Sequence, residues 1–253
     1  MTPPRFRGDA VQVSVPATSA NLGPGFDALG LALSLYDDVT ARVVDHGLAI
    51  EIEGEGVGVA TDESHLVVRA MRQTFARLGA QPSGIGLHCV NRIPHGRGLG
   101  SSAAAIVAGV LLARALVEDG AHRLSDDGVL ALANEIEGHP DNVAACLLGG
   151  LTIAWLDDTA HAVRLDLASS ITPVLFIPPF EASTQMARGL LPPTVSHADA
   201  SFAAGRAALL IAALTGARRA TAGKACRGLP RWASRHPSST RRRSHSSMIS
   251  TAR

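Results

Sequence analysis

The sequence predicts an α+β fold, and three observations lead to that class. Strand-like segments dominate the start of the chain and then alternate with helix-like segments, without the regular βαβ repeat of a doubly wound parallel sheet. No internal repeat stands out. The 253 residues are 46% apolar and 18% charged, which allows a hydrophobic core in one large or two small domains and excludes a disordered chain for most of the length.

The N-terminal part is predicted to consist mainly of strands. Val11, Val13 and Val15 alternate with polar residues and lead to Pro16, where we expect the first strand to end. The loop that follows, 17–27, is dense in turn residues. Apolar patterning predicts further strands at 29–35, 48–53, 86–93, 147–156 and 171–177.

Helices are predicted in four places: 66–78, 101–116, 125–137 and 197–214. The first is amphipathic, and the last is rich in alanine. The second is apolar nearly all round, as in a helix buried in the middle of a domain, and Ser101 or Ser102 is placed to cap it. The third begins with Ser125 and two aspartates, whose charge suits the helix dipole.

The net charge of +1 conceals two regions of opposite charge. Residues 1–216 contain 13 Arg and all 22 Asp and Glu, a net charge of −9. Residues 217–253 contain nine Arg, Lys224 and no acidic residue, a net charge of +10. This change indicates an acidic globular body followed by a basic Arg/Ser/Pro-rich tail.

Several protein classes are not expected from the sequence. The longest uncharged apolar stretch, 98–113, falls short of the roughly 20 residues that a membrane span needs, and residues 1–10 lack the apolar region of a secretory signal. A cytoplasmic protein is therefore predicted. Cys89, Cys146 and Cys226 are far apart and not in metal-ligand spacing, so each is interpreted as a small buried or incidental residue.

Residues 94–104 are predicted to bind an anion. Their sequence, Pro-His-Gly-Arg-Gly-Leu-Gly-Ser-Ser-Ala-Ala, has three glycines at alternate positions, so the backbone can approach a ligand closely. The following helix offers N–H groups and the positive end of its dipole. The sequence is neither a Walker A loop nor a dinucleotide fingerprint. The alternative is a tight strand-to-helix turn that needs glycine only for its geometry.

Two further segments combine polar groups with turn residues. Residues 135–142, Glu-Ile-Glu-Gly-His-Pro-Asp-Asn, offer carboxylate, imidazole and amide groups on a short loop at the end of a predicted helix. The alternative there is an ordinary helix end with an Asp/Asn turn. The other segment is the loop 21–27, which could equally be a glycine-rich connection.

Together these segments resemble the GHMP family of small-molecule kinases, and within it the homoserine kinases. The resemblance lies in 16–27, 94–104 and 137–150, and 178–188 is similar to the family's substrate-side strand and turn. It implies a ribosomal S5 domain 2-like N-terminal ATP-binding domain at 1–165. Residues 166–216 would begin a ferredoxin-like C-terminal domain, which is incomplete in this chain, and 217–253 would be a disordered tail.

The resemblance also implies a function: phosphorylation of the side-chain hydroxyl of L-homoserine to O-phospho-L-homoserine in threonine biosynthesis, with ATP and Mg²⁺. A homodimer is compatible with it. The ATP phosphates would bind the loop formed by Pro94, His95, Gly96, Arg97, Gly98, Leu99, Gly100, Ser101, Ser102, Ala103 and Ala104. Ser102 and Glu137 would hold Mg²⁺. The substrate pocket would be lined by Asn21, Asp27, His139, Asn142, Thr184 and Arg188.

Individual roles follow from the chemistry of these side chains. Asp27 suits the substrate ammonium, and Arg188 can bind its carboxylate through two parallel hydrogen bonds. Asn142, rather than its neighbour Asp141, is expected to face the substrate hydroxyl. Glu137, Asn142 and Ser102 would then be the catalytic residues, without a strong general base among them.

Three alternatives remain. The chain could be another GHMP kinase that acts on a different amino alcohol. The basic tail could bind nucleic acid through salt-sensitive contacts, although nucleic acid is not the expected partner. The chain could also be an inactive fragment, since the tail has the composition of an out-of-frame translation. The family's second substrate arginine and late Gly-x-Gly-Pro segment are not found in it.

Overall fold

The computed structural model describes residues 4–56, 58–177 and 191–216. The strands in these residues are β1 (Val11–Leu22), β2 (Gly25–Val44), β3 (Gly47–Gly54), β4 (Gly84–Asn91), β5 (Leu151–Leu156) and β6 (Ala160–Leu165). The helices are α1 (Leu66–Leu78), α2 (Ser101–Leu116), α3 (Gly120–Arg123), α4 (Asp126–Glu137), α5 (Pro140–Leu148) and α6 (His197–Leu214). The predicted α+β class is confirmed.

The six strands form a single sheet organised around β2. Strand β2 pairs antiparallel with β1 along most of its 20 residues. Its C-terminal half pairs with β4 and its N-terminal half with β5, both antiparallel. Strand β3 lies parallel to β4 at one end of the sheet, and β6 lies antiparallel to β5 at the other. The long strand β2 therefore joins the two ends of the sheet.

The hydrophobic core lies between the sheet and α1, α2, α4 and α5. Helix α2 is its centre, with ten of its 16 residues buried. Gly109 lets α1 pack closely against α2, because a Cβ there would lie 2.5 Å from the Val67 carbonyl oxygen. Helix α6 packs separately, through Leu210, against Leu29 of β2. The core thus fixes the start of α2 and the α4–α5 junction relative to the sheet.

Most predicted elements are confirmed. Helices α1, α2 and α6 have the predicted bounds, and α4 begins at Asp126 after Ser125, whose Oγ accepts a hydrogen bond from the Gly128 N–H. Strands β3 and β4 agree with 48–53 and 86–93 to within two residues. Cys89 and Cys146 are buried, as expected, and Cys226 lies outside the described residues.

Other predictions were wrong. Strand β1 continues beyond Pro16 to Leu22, paired with β2. The register of this pairing shifts between Pro16 and Thr18, so the ladder of hydrogen bonds is already interrupted where proline lacks its N–H. Residues 140–148 form α5 rather than a loop and a strand start, since Pro140 suits the first turn of a helix. Residues 171–177 form no regular element, whereas β6 was not predicted.

The helix cap proposed at Ser101 or Ser102 was also wrong. Gly100 is the N-cap of α2 and has a left-handed conformation, with φ of 69°.

Of the described helices, none is long and apolar enough to cross a bilayer. The division at residues 165 and 166 stays a prediction, and the tail 217–253 lies outside the described residues.

Candidate functional site

The glycine loop, residues 94–104, joins β4 to α2 and is anchored at both ends. Asp37 on β2 accepts hydrogen bonds from the backbone N–H groups of Arg92 and Ile93, at 2.5 and 2.9 Å. Burial raises the pKa of the Asp37 carboxyl, and the two N–H donors oppose that shift. At the other end Leu99 is buried in the core. The loop between these anchors is therefore held against the sheet.

The glycines of this loop adopt a conformation that other residues rarely adopt. Gly96, Gly98 and Gly100 have φ of 66°, 75° and 69°. A Cβ on Gly98 would have no heavy atom within 4 Å, so the loop leaves open space there. A Cβ on Gly100 would overlap the Thr18 hydroxyl. The three positive φ angles explain why glycine stands at alternate positions, and the space next to Gly98 is open to at least 4 Å from the position of a Cβ.

Ser102 and Glu137 meet at the start of α2. Ser102 Oγ donates a hydrogen bond to Glu137 Oε2 at 2.8 Å. Glu137 is the last residue of α4, and Gly138, with φ of 91°, ends that helix and turns the chain into α5. This junction places a carboxylate, 10% exposed, beside the helix start that carries the glycine loop.

The first residues of α5 form a hydrogen-bonded group around Asp141. Asp141 Oδ1 lies 2.8 Å from His139 Nδ1 and accepts a hydrogen bond from the Asn142 backbone N–H at 3.0 Å. The His139 Nε2 atom lies 3.9 Å from Glu137 Oε1. Asp141 is fully buried, whereas Asn142 is partly exposed. Asp141 thus orients its neighbours and is not itself accessible.

Thr18 on β1 connects this group to the glycine loop. Its Oγ1 donates a hydrogen bond to Asn142 Oδ1 at 2.8 Å, and its backbone N–H donates to the Leu99 carbonyl oxygen at 2.9 Å. The contacts now described, together with the stretch of chain that joins Gly100 to Ser102, form a closed group that we call the contact ring. Its members are Gly100, Thr18, Asn142, Asp141, His139, Glu137 and Ser102.

Asn21 and Asp27 lie at the tip of the β1–β2 hairpin. The Asn21 side-chain oxygen accepts a hydrogen bond from the Asp27 backbone N–H at 2.8 Å. Both residues have φ of 56°, which is unusual for residues other than glycine. The hairpin tip is thus held by an internal hydrogen bond, and it continues from the same strand that carries Thr18.

A cavity of about 250 Å³ opens beside the start of α2. Its wall is mostly apolar, with Asp37, His65, Asn91 and His95 among the polar residues. His65 is 5% exposed, and its Nδ1 atom has no hydrogen-bond partner among the described residues. Burial and the nearby His95 lower the pKa of His65, so its ring is neutral at physiological pH. The cavity therefore combines mostly apolar walls with a buried imidazole whose Nδ1 has no hydrogen-bond partner among the described residues.

Comparisons with known proteins show which family the chain belongs to. The model of the GHMP kinases N terminal domain matches residues 65–150, which contain the glycine loop and α5. A homoserine kinase of Streptomyces coelicolor is 60% identical over 217 residues, which are 85% of this chain and 70% of that protein. The chain belongs to the homoserine kinase family. A second relative, from Clavibacter michiganensis, is 52% identical over 210 residues.

Solved structures agree with the family. The crystal structure of homoserine kinase from Cytophaga hutchinsonii matches 88% of this chain and 72% of its own, with a TM-score of 0.72 and 30% identity. The crystal structure of L. major mevalonate kinase in complex with R-mevalonate matches 90% of this chain and 77% of its own, with a TM-score of 0.67. At 14% identity, this similarity shows a shared fold and nothing more.

The structure brings some predicted site residues together and leaves others apart. Ser102, Glu137, His139 and Asn142 lie in the contact ring, whereas Asn21 and Asp27 contact each other at the hairpin tip. Thr184 and Arg188 lie outside the described residues.

Sequence reasoning missed Thr18, Asp37 and His65. Thr18 lies in segment 16–27, which carries the family resemblance, three residues before Asn21, so that segment could have indicated it as a site residue. Asp37 and His65 had no comparable signal, because only the fold brings them to the loop and the cavity.

Proposed function

We propose that this chain transfers the γ-phosphoryl group of ATP to the side-chain hydroxyl of L-homoserine, yielding O-phospho-L-homoserine for threonine biosynthesis in the cytoplasm. The observation that carries the proposal is the contact ring, which joins a helix start suited to phosphate to buried polar residues suited to a small polar substrate. The names of the relatives support the choice of homoserine.

The nucleotide would bind along the glycine loop. The first-turn N–H groups of α2 and the positive end of its dipole favour an anion at this place. The open space at Gly98 fits a phosphate group, since no protein atom occupies the position of a Cβ there. The neighbouring cavity, with its mostly apolar wall, would take the base.

Ser102 and Glu137 would hold Mg²⁺. Two oxygens that neighbour each other around an octahedral Mg²⁺ lie about 3 Å apart, because each metal–oxygen distance is about 2.1 Å. Ser102 Oγ and Glu137 Oε2 are separated by 2.8 Å, so the pair fits that requirement. Bound Mg²⁺ would supply neutralisation of charge on the ATP phosphates. The two side chains would contribute a hydroxyl and a carboxylate oxygen, and the remaining ligands would be phosphate and water.

Asn142 and the hairpin tip would bind the amino acid. Asp27 would pair with the ammonium group, Asn142 would orient the hydroxyl, and Asn21 and His139 would complete the wall. From the resemblance we assign Arg188 to the carboxylate and Thr184 to the same pocket. Each charged hydrogen bond of this kind contributes about 1.5–3 kcal/mol.

We also propose that residues 1–165 form the nucleotide domain and that 166–216 begin the substrate-side domain.

The chemistry requires positioning more than proton transfer. Asp141 is fully buried and bonded to its neighbours, so it does not reach a substrate hydroxyl directly. Phosphoryl transfer proceeds through a loose transition state in which the protein mainly aligns the reactants and stabilises charge. The contact ring suits that task, because the hydrogen bonds of Thr18 tie Asn142 to the glycine loop and the hydrogen bond of Ser102 ties Glu137 to the helix start.

A product assay tests the proposal. The purified chain is incubated with ATP, Mg²⁺ and one of three acceptors, L-homoserine, mevalonate or galactose, and the products are identified by ³¹P NMR and mass spectrometry. We expect O-phospho-L-homoserine and no comparable product from the other two acceptors. Faster phosphorylation of another acceptor would assign a different GHMP kinase activity. The absence of any phosphorylated product would contradict the proposal for this chain.

A further inference from the structure

Thr18 occupies a position that its backbone role in β1 does not explain. Its side chain is fully buried, and its hydroxyl donates to Asn142 Oδ1 at 2.8 Å. Its backbone N–H donates to the Leu99 carbonyl oxygen at 2.9 Å. Gly100 lies so close to the Thr18 hydroxyl that no side chain is possible there. Thr18 is thus in contact with the sheet, the glycine loop and α5.

The hydrogen bond to Asn142 decides which end of the carboxamide is available. An asparagine side chain has an oxygen that accepts and a nitrogen that donates two hydrogen bonds. The Asn142 oxygen is engaged by Thr18, and the Gly100 backbone lies beside it, since a Cβ there would be 3.2 Å from Oδ1. The Nδ2 donor is therefore the end that Asn142 can present to a substrate.

Burial makes this orientation strong. If the amide turned over, Nδ2 could donate to the Thr18 hydroxyl, but the buried hydroxyl proton would lose Asn142 Oδ1 as its acceptor. Loss of that hydrogen bond in a buried place is unfavourable. The Asn142 backbone is fixed as well, because its N–H donates to the buried Asp141 carboxylate at 3.0 Å. Both the backbone and the side chain of Asn142 are consequently held before any ligand arrives.

We propose that Thr18 is a positioning residue that fixes the Asn142 carboxamide with Nδ2 toward the substrate, and that it ties this orientation to the glycine loop. The inference rests on the proposed function, which places Asn142 in the homoserine pocket. Asn142 then donates a hydrogen bond to an oxygen of the hydroxyl or of the phosphoryl group. It does not accept the proton of the homoserine hydroxyl.

The first test compares two substitutions of Thr18. Thr18→Val keeps the shape but removes the hydroxyl, whereas Thr18→Ser keeps the hydroxyl. We expect Thr18→Val to lower kcat/KM for homoserine roughly ten-fold or more, with KM for ATP changed less than about two-fold, and Thr18→Ser to stay within about three-fold of the parent chain. Thr18→Ala provides a second hydroxyl-free variant if the valine chain does not fold. Equal losses in the serine and the hydroxyl-free variants would overturn the proposal.

A double-mutant cycle tests whether Thr18 acts through Asn142. In the Asn142→Ala background, Thr18→Val is expected to change homoserine affinity by less than about two-fold, because its target is already removed. Homoserine affinity is measured by calorimetry, so that low turnover does not prevent the comparison. If Thr18→Val lowers affinity in the Asn142→Ala background by the same factor as in the parent chain, Thr18 acts by another route and the inference is overturned.

NMR separates this inference from the proposed function. The side-chain amide signals of Asn142 in the ¹⁵N spectrum are assigned by their absence in Asn142→Ala. We expect them to shift in Thr18→Val and to remain in place in Thr18→Ser, whether or not the chain phosphorylates homoserine. A parent chain without homoserine kinase activity would refute the proposed function while these shifts still support the positioning role. Unchanged amide signals in Thr18→Val would overturn that role.

Discussion

The two sides of the contact ring, to which we assign the nucleotide and the homoserine, are built in different ways. The nucleotide side is nearly continuous in sequence: the glycine loop leads directly into α2, and one distant residue, Glu137, completes it. The substrate side combines Thr18 and the adjoining hairpin tip with the start of α5, which lies more than 100 residues further along the chain.

This difference shows which part of the site tolerates substitution. Between its anchors the glycine loop owes its shape mainly to its own backbone, so we expect substitution of a glycine with positive φ to disturb it more than substitution of an exposed side chain. An assembled pocket depends on hydrogen bonds between distant elements, so loss of one buried donor changes the orientation of a neighbour. We therefore expect backbone changes to damage nucleotide binding most, and side-chain changes to affect homoserine more selectively.

The largest effect is expected from Gly98→Val. The valine side chain would occupy the open position that we assign to phosphate, and φ of 75° would strain the backbone. Loss of two hydrogen bonds to phosphate at about 1.5 kcal/mol each corresponds to an ATP affinity roughly 100-fold weaker, measured by calorimetry. Gly79→Val is the control, since Gly79 has φ of 86° and equal space but ends α1. Similar ATP affinity in both variants would contradict the assignment.

Glu137→Gln is expected to have the next largest effect. Removing the charge weakens the metal site by about 2 kcal/mol, so activity should fall roughly 30-fold at every pH and recover in part at high Mg²⁺. Glu135→Gln, an exposed position on the same helix, is the control and should behave like the parent chain. A shift of the pH–rate profile without rescue by Mg²⁺ would indicate acid–base catalysis instead.

Asp27→Asn is expected to act on homoserine alone. Losing the charged partner of the ammonium group should raise KM for homoserine about ten-fold, with KM for ATP unchanged. Asp45→Asn is the control, because it also removes one negative charge but lies in the exposed turn between β2 and β3, away from the hairpin tip. Steady-state kinetics with both substrates distinguish the two variants. An equal change in both KM values would place Asp27 outside the amino-acid pocket.

The smallest effect concerns the anchor of the glycine loop. Because burial raises the Asp37 pKa, the folded chain holds that proton more tightly than the unfolded chain, and stability falls as pH rises from about 4 through the raised pKa. Urea unfolding should therefore show the parent chain losing stability relative to Asp37→Asn across that interval.

The neighbouring Asp38 is the control, with the opposite sign. Hydrogen bonds from Ser14 and Arg92 lower its pKa, so its contribution is present above about 4 and is lost as pH falls through the lowered value. The same pH trend in Asp37→Asn and Asp38→Asn would show that burial at Asp37 does not control the anchor.

Patterns that repeat along the chain were sufficient to predict many elements. Helix α1 is amphipathic and α2 is apolar on all sides, so both were located from composition and period alone. The glycine loop was predicted to be an anion site for the same reason, since its alternate glycines and the following helix are adjacent in sequence, and that role stays a prediction. Helix α5 escaped prediction because it is short and polar at its start, and its buried side depends on contacts with β1, β2 and β5.

The sequence by itself determined the α+β class, the family resemblance and the position of the glycine loop before α2, because each rests on neighbours in the chain. Only the tertiary structure decided that Thr18 meets Asn142, that Glu137 reaches Ser102, and that Asp37 anchors the loop. The residues of these three contacts are 124, 35 and 55 positions apart in the chain, respectively. No local pattern encodes such pairs, since the packing of helices on one face of the sheet sets which side chains meet.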